Sequence, residues 1–135
     1  MMNVVIDTNV IVSALLSSHG KPAAILDMFF NEEIQTCYSD NILIEYEDVL
    51  SRSALNIKPE KAKRFFEILR DTGTSIKPTV SNIPLPDEDD RVFYDTAKQS
   101  NAILITGNIK HYPAEDFIMA PSKFLDLLKP DSLTP

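Results

Sequence analysis

Among the chain's twenty acids and its amides, four residues stand where they could do phosphate or metal chemistry together: Asp7, Glu45, Asp90 and Asn108. Three are carboxylates, and the fourth offers an amide oxygen. Carboxylates gathered in one cleft repel each other, so the group needs a divalent cation, shared protons or basic neighbours. Oxygen donors without a Cys/His set favour Mg²⁺ or Mn²⁺ over Zn²⁺. The two histidines, His19 and His111, have no metal-binding spacing, and the lone Cys37 has no basic neighbour that would activate its thiol.

The elements that must bring these residues together alternate between strands and helices. Met2–Ile6 is a short apolar run that ends at Asp7 and reads as a buried strand. Val10–Leu16 and Pro22–Phe30 read as helices separated by Ser17-Ser18-His19-Gly20. Ile34–Tyr38 is a second strand, followed by a helix to about Ser51 that Ser39 or Asp40 caps. Pro59 opens a helix to about Asp71, Thr74–Lys77 is a short strand, and Pro78–Pro86 is a loop. Asp87–Asp90 forms the acidic start of a helix to about Ser100. Ala102–Ile105 is the clearest buried strand, Phe117–Met119 is the last strand, and Pro121–Leu128 is a closing helix. The pattern predicts an α/β fold, a mostly parallel sheet covered on both faces, as one domain over residues 1–129 with a frayed tail at 130–135. Sites in such sheets form beyond the carboxyl ends of the strands. Asp7 and Asn108 fall there directly, and Glu45 and Asp90 lie on helices able to lean over that edge.

Composition narrows the class of partner. The formal net charge is −7, whereas proteins that hold nucleic acid by broad electrostatics are normally basic. Contact with nucleic acid must therefore be local and metal-assisted, or else the partner is something different, such as a basic protein. One cysteine rules out an internal disulfide framework and fits a reducing cytoplasm. The apolar stretches fall short of the roughly 20 residues that span a bilayer, and the N-terminus lacks a secretory pattern. A cytoplasmic protein without membrane association is expected.

Four blocks carry a family resemblance. They are Val4-Val5-Ile6-Asp7-Thr8-Asn9-Val10-Ile11-Val12-Ser13-Ala14-Leu15, Leu43-Ile44-Glu45-Tyr46-Glu47-Asp48-Val49-Leu50, Pro86-Asp87-Glu88-Asp89-Asp90-Arg91-Val92-Phe93 and Ile105-Thr106-Gly107-Asn108-Ile109-Lys110-His111-Tyr112-Pro113. In order and spacing, from about residue 2 to 128, the chain resembles PIN-domain nucleases, and in particular small prokaryotic VapC-type toxins. The resemblance implies a three-layer α/β/α PIN-like domain with a metal site of Asp7, Glu45 and Asp90. Asn108 stands where many PIN domains carry a fourth aspartate, which makes a second metal ion less secure. Asn9 and Thr106 match polar positions that support the aspartates by hydrogen bonding. The implied activity is metal-dependent hydrolysis of RNA, leaving 5′-phosphate and 3′-hydroxyl ends. The implied partners are a separately encoded antitoxin and a second copy of the chain in a homodimer.

Other residues have both a functional and a plainer reading. Lys110 and His111 follow the last block and are candidates for touching substrate. Lys58, Lys61 and Arg64 belong to a locally basic helix that reads either as an RNA track or as a solvated amphipathic face. Asp87 and Asp89 are candidate outer partners of the site. Tyr46, Phe93 and Tyr112 read as core or rim packing. Two other functional classes compete with the nuclease. A phosphotransferase of the haloacid-dehalogenase kind also places an aspartate after its first strand, but needs a second acid two positions later, where Asn9 stands. A PIN-fold module that binds RNA or a protein without cleavage is favoured by Asn108.

Overall fold

Strand β1 (Asn3–Ile6) is apolar on both faces, with Val4, Val5 and Ile6 almost fully buried, and this places it at the centre of the sheet. The computed structural model describes residues 1–129, and the expected tail at 130–135 lies outside them. After β1 come α1 (Thr8–Leu16), α2 (Lys21–Phe30), β2 (Gln35–Tyr38), α3 (Asp40–Leu50), α4 (Pro59–Thr72) and β3 (Thr74–Ser75). Then follow α5 (Arg91–Gln99), β4 (Ile103–Ile105), β5 (Ile118–Met119) and α6 (Pro121–Leu128). Short 3₁₀ turns occur at Ser53–Leu55, Glu88–Asp90 and Ile109–His111. The five strands are all parallel in the order β3-β2-β1-β4-β5, with Val4 level with both Thr36 and Ile103, and Ile6 level with Ile105. Helices flank this sheet, giving the expected α/β/α architecture.

The chain leaves β1 toward β2 and β3 on one side, and returns to add β4 and β5 on the other. The order therefore reverses between β1 and β4, where the crevice beyond the carboxyl ends opens. The Asp7 N–H donates to the Ile105 carbonyl at 2.9 Å, so the last rung of this central ladder lies at the site. Tyr46 on α3 is fully buried and its hydroxyl donates to the Ile6 carbonyl, which pins α3 to the end of β1 and brings the adjacent Glu45 with it. Rings of Phe29, Phe65, Tyr46 and Phe93 pack in sequence between the helices, with centroids 5.4 to 6.3 Å apart. Of the two candidate caps of α3, Ser39 does the work, its Oγ accepting from the Ile42 N–H at 3.3 Å.

The acidic helix start at Asp87–Asp90 differs from the sequence expectation. The Asp87 carboxylate accepts from the Asp89 N–H at 3.0 Å and closes a 3₁₀ turn, so α5 begins only at Arg91. Asp90 becomes the N-cap of α5, and its side chain makes no capping bond to that helix.

One stripe of α5 also holds the long loop before it. Arg91, Asp95 and Gln99 recur every four residues and so share a face. The Gln99 amide oxygen accepts from the Thr79 N–H at 2.7 Å, and Asp95 Oδ2 accepts from the Ser81 N–H at 3.1 Å. Arg91 donates to the Ser81 and Ile83 carbonyls at 2.8 and 2.7 Å. The loop is thus bound through its backbone to the helix that carries Asp90 at its tip. Asp95→Ala leaves the Ser81 N–H unpaired against a buried wall and is expected to lower unfolding free energy by about 1–3 kcal/mol in urea titration. Lys63→Ala, on an exposed turn of α4, is expected to change it by less than about 0.5 kcal/mol.

Candidate active site

Asp7 and Asp90 occupy the same kind of position, the N-cap of a helix, and in neither does the side chain cap that helix. The positive end of each helix favours the carboxylate, while its oxygens stay available for other partners. Two hydroxyls orient Asp7: Thr106 Oγ1 and Tyr112 Oη each donate to Oδ2 at 2.9 Å. Both bonds fall on Oδ2, which leaves Oδ1 for another partner. Thr8, the first residue of α1, donates its hydroxyl to Glu45 Oε2. The start of α1 thereby fixes a side chain on α3, and Asp7 and Glu45 are held together.

The three acids influence one another's ionisation. Burial pushes Glu45 up from its ordinary value; the Thr8 bond opposes this, and the charges of Asp7 and Asp89 add to it. Burial pushes Asp90 up to about 6, reinforced by Asp7 and Asp87, opposed by His111 and reinforced again by Glu45. Tyr112 is held above the ordinary range of a phenol by burial and by the charges of Asp7 and Asp90, so it remains a neutral donor. Asp90 Oδ2 is buried and has no hydrogen-bond partner among the described residues. A buried carboxylate oxygen without a donor, amid three further negative charges, fits a divalent cation. Asp90 would hold it, with oxygen donors suited to Mg²⁺ or Mn²⁺. Asp7 and Glu45 lie near enough for their charges to act on Asp90. Among the described residues, the group whose ligand atoms all fall within 4.8 Å of one another is Asp87, Asp90 and His111.

Other predicted residues are placed differently. Thr106 supports Asp7 as expected, whereas Asn9 accepts from the Gly107 N–H at 3.1 Å and ties α1 to the turn after β4. Gly107 permits this approach, because a Cβ there would lie 3.3 Å from Asn9 Oδ1. Asn108 is exposed, joined to the site by its own N–H on Thr106 Oγ1 at 3.0 Å, and borders a shallow hollow with Asn9 and Gly107. Lys110 is exposed on the 3₁₀ turn that follows. Lys61 donates to the Leu15 carbonyl at 3.4 Å and the Arg64 guanidinium stacks on Phe30 at 4.3 Å. Both border one hollow with Leu15 at the far end of α1, about 12 Å along its axis from Asp7. Lys58 precedes them as the exposed N-cap of α4. The structure does not bring this basic helix to the acids.

Sequence reasoning missed two contributors. Tyr112 packs as expected, yet its hydroxyl also reaches Asp7, a contact that no local pattern announces. His111 lacks ligand spacing in sequence, but the 3₁₀ turn swings its Nδ1 to 3.5 Å from Asp90 Oδ2. A hollow of about 470 Å³ between the 76–80 segment and the starts of α3 and α5 borders the site through Asp89 and contains none of the three acids. The acids lie instead beyond the carboxyl ends of the central strands.

Residues 3–110 match the PIN domain family, and the chain belongs to it. It is 36% identical over 110 residues to an uncharacterized protein, MJ1680, of Methanocaldococcus jannaschii, covering 79% of this chain and 71% of that one. It is also similar, at a TM-score of 0.49 and 20% identity, to a chain in the crystal structure of VapBC2 from Rickettsia felis bound to a DNA fragment from their promoter. That likeness covers 81% of this chain and 90% of the other.

The raised Asp90 carboxyl has a pH signature in protein freed of divalent ions. The folded state holds the proton more tightly than the unfolded chain, whose aspartates titrate near about 4. Stability therefore falls as pH rises through the interval that ends at about 6. Asp90→Asn is expected to melt at a higher temperature than wild type at pH ~8, and to lose that advantage below pH ~4. Tyr112→Phe removes one of the two donors that orient Asp7, and is expected to weaken Mn²⁺ binding about 10–100-fold by calorimetry without loss of the fold.

Proposed function

We propose that this protein is a metal-dependent endoribonuclease, and that it serves as the toxin half of a toxin–antitoxin pair. The observation that carries the nuclease reading is the convergence of Asp7, Glu45 and Asp90 at one sheet edge, with a buried Asp90 oxygen lacking any donor. Bound by these acids, a divalent ion would supply positive charge at the scissile phosphate and lower the pKa of a water there. Asp7, fixed on Oδ2 by Thr106 and Tyr112, and Asp90, freed at the tip of α5, hold the cation's side of the cleft. Glu45, steadied by Thr8 and raised in pKa, orients the attacking water and accepts its proton. Water adds to phosphorus in line with the departing 3′ oxygen. The P–O3′ bond breaks, the 3′ oxygen takes up a proton, and 5′-phosphate and 3′-hydroxyl ends remain.

RNA is the substrate this reading assigns, with Lys110, exposed on the turn that follows Asn108, as a basic contact for it. The cation answers the puzzle of a net charge of −7, since it places positive charge where phosphate must approach. The toxin assignment, a cognate antitoxin, a homodimer and a cytoplasmic setting rest on the resemblance of the four sequence blocks. Among the described residues no helix is long and apolar enough to cross a membrane.

A second reading is supported by Asn108, which stands where the family commonly has an acid: a PIN-fold module that binds RNA or a protein without cutting. End-labelled single-stranded RNA separates the two. The nuclease shortens it with Mn²⁺ or Mg²⁺ and not with EDTA, and Asp7→Asn and Asp90→Asn each reduce cleavage by at least the ~10–100-fold that loss of a ligand's outer partner costs. A binding module retards the RNA in a gel at full length under every condition. In either case, retention weakens as salt rises.

A further inference from the structure

The segment between Asn108 and Tyr112 is drawn onto the acids at both of its ends. The Asn108 N–H bonds Thr106 Oγ1 at 3.0 Å, and the Tyr112 hydroxyl bonds Asp7 Oδ2 at 2.9 Å. His111 lies between these anchors, on a turn closed by its own N–H to the Asn108 carbonyl at 3.0 Å. Its Nδ1 comes within 3.5 Å of the orphaned Asp90 Oδ2. Asp87 completes the group: one ligand atom each from Asp87, Asp90 and His111 lie within 4.8 Å of one another. Metal–ligand bonds of about 2.1 Å put opposite ligands of an octahedron ~4.2 Å apart, so a single ion fits this spacing after small side-chain adjustments. Asp87 is already steadied by the Asp89 N–H on Oδ1.

The chemistry of an imidazole suits this place. A further carboxylate would add negative charge to a site already crowded with Asp7, Glu45, Asp87 and Asp90. A neutral ring nitrogen adds a donor without adding charge. It also changes which cation is favoured. Mg²⁺ keeps to oxygen, whereas imidazole suits Mn²⁺ and the later first-row ions. The plain alternative is a half-exposed ion pair, formed only when His111 is protonated, and that state has no lone pair on Nδ1 to give a metal.

We propose that His111 Nδ1 supplies the ligand that Asn108 does not, so that the ion between Asp87, Asp90 and His111 is a transition cation such as Mn²⁺ in preference to Mg²⁺. The inference rests on the metal-dependent reading of the same site. Its test needs no RNA and no turnover: electron spin echo spectroscopy of Mn²⁺ bound to the full chain, with binding constants for Mn²⁺ and competing Mg²⁺. Nitrogen modulation of the Mn²⁺ echo is expected in wild type and in His19→Gln, and is lost in His111→Gln. His111→Gln is also expected to weaken Mn²⁺ by about tenfold or more and Mg²⁺ by less than about threefold. Two results sink the inference and leave the nuclease reading standing. One is Mn²⁺ that binds, is lost in Asp90→Asn, and shows no nitrogen modulation. The other is modulation that persists in His111→Gln. A wild-type chain that binds no Mn²⁺ overturns both.

Discussion

Like-charge repulsion at one sheet edge is the constraint around which this molecule is arranged. Three carboxylates from the end of β1, α3 and the tip of α5 converge there, and burial first, then their mutual charge, raises the pKa of Glu45 and Asp90. The fold meets part of that cost itself. Asp7 and Asp90 each stand at a helix N-cap, where the helix dipole favours negative charge. Hydroxyls of Thr8, Thr106 and Tyr112 donate to the acids without adding positive charge that would compete with a cation. What remains unmet is concentrated at Asp90 Oδ2, and a cation is the natural partner for it.

The scaffold explains why these positions are held so firmly. Tyr46 ties α3 to the last carbonyl of β1, and the Asp7 N–H closes the β1–β4 ladder, so two of the three acids are fixed to the sheet itself. Asp90 depends on the rest of α5. That helix is packed over the central strands by Phe93 and Ala97, which are both fully buried. Its outer face grips the preceding loop through Arg91, Asp95 and Gln99. The loop and the helix are therefore tied together, and Asp90 sits at their junction.

Much of this was legible in the sequence, because strand periodicity and the residues closing each strand are local signals. The buried runs at Val4–Ile6 and Ile103–Ile105 marked the two central strands, and Asp7 and Thr106 follow them directly. Glu45 was legible once Ile42, Tyr46 and Leu50 fixed which face of α3 turns inward. What escaped depends on contacts distant in sequence or on geometry shorter than one helical turn. The Asp87 cap breaks an expected helix and makes Asp90 the N-cap of α5. The 3₁₀ turn at Ile109–His111 reverses the chain within three residues, so neither His111 nor Tyr112 could be placed beside Asp90 and Asp7 by spacing. The basic helix shows the opposite failure: its charge pattern pointed to substrate, but Lys61 and Arg64 are spent on the Leu15 carbonyl and the Phe30 ring.

The claim on which the account stands is that this acid cluster is built around a cation. Anomalous diffraction from crystals soaked in Mn²⁺ tests it most directly. The account predicts a strong peak within bonding distance of the Asp90 carboxylate, on the side of the acid cluster, with the Asp7 bonds from Thr106 and Tyr112 intact. A clean map without a peak at these acids, in crystals that take up Mn²⁺ elsewhere, would contradict it.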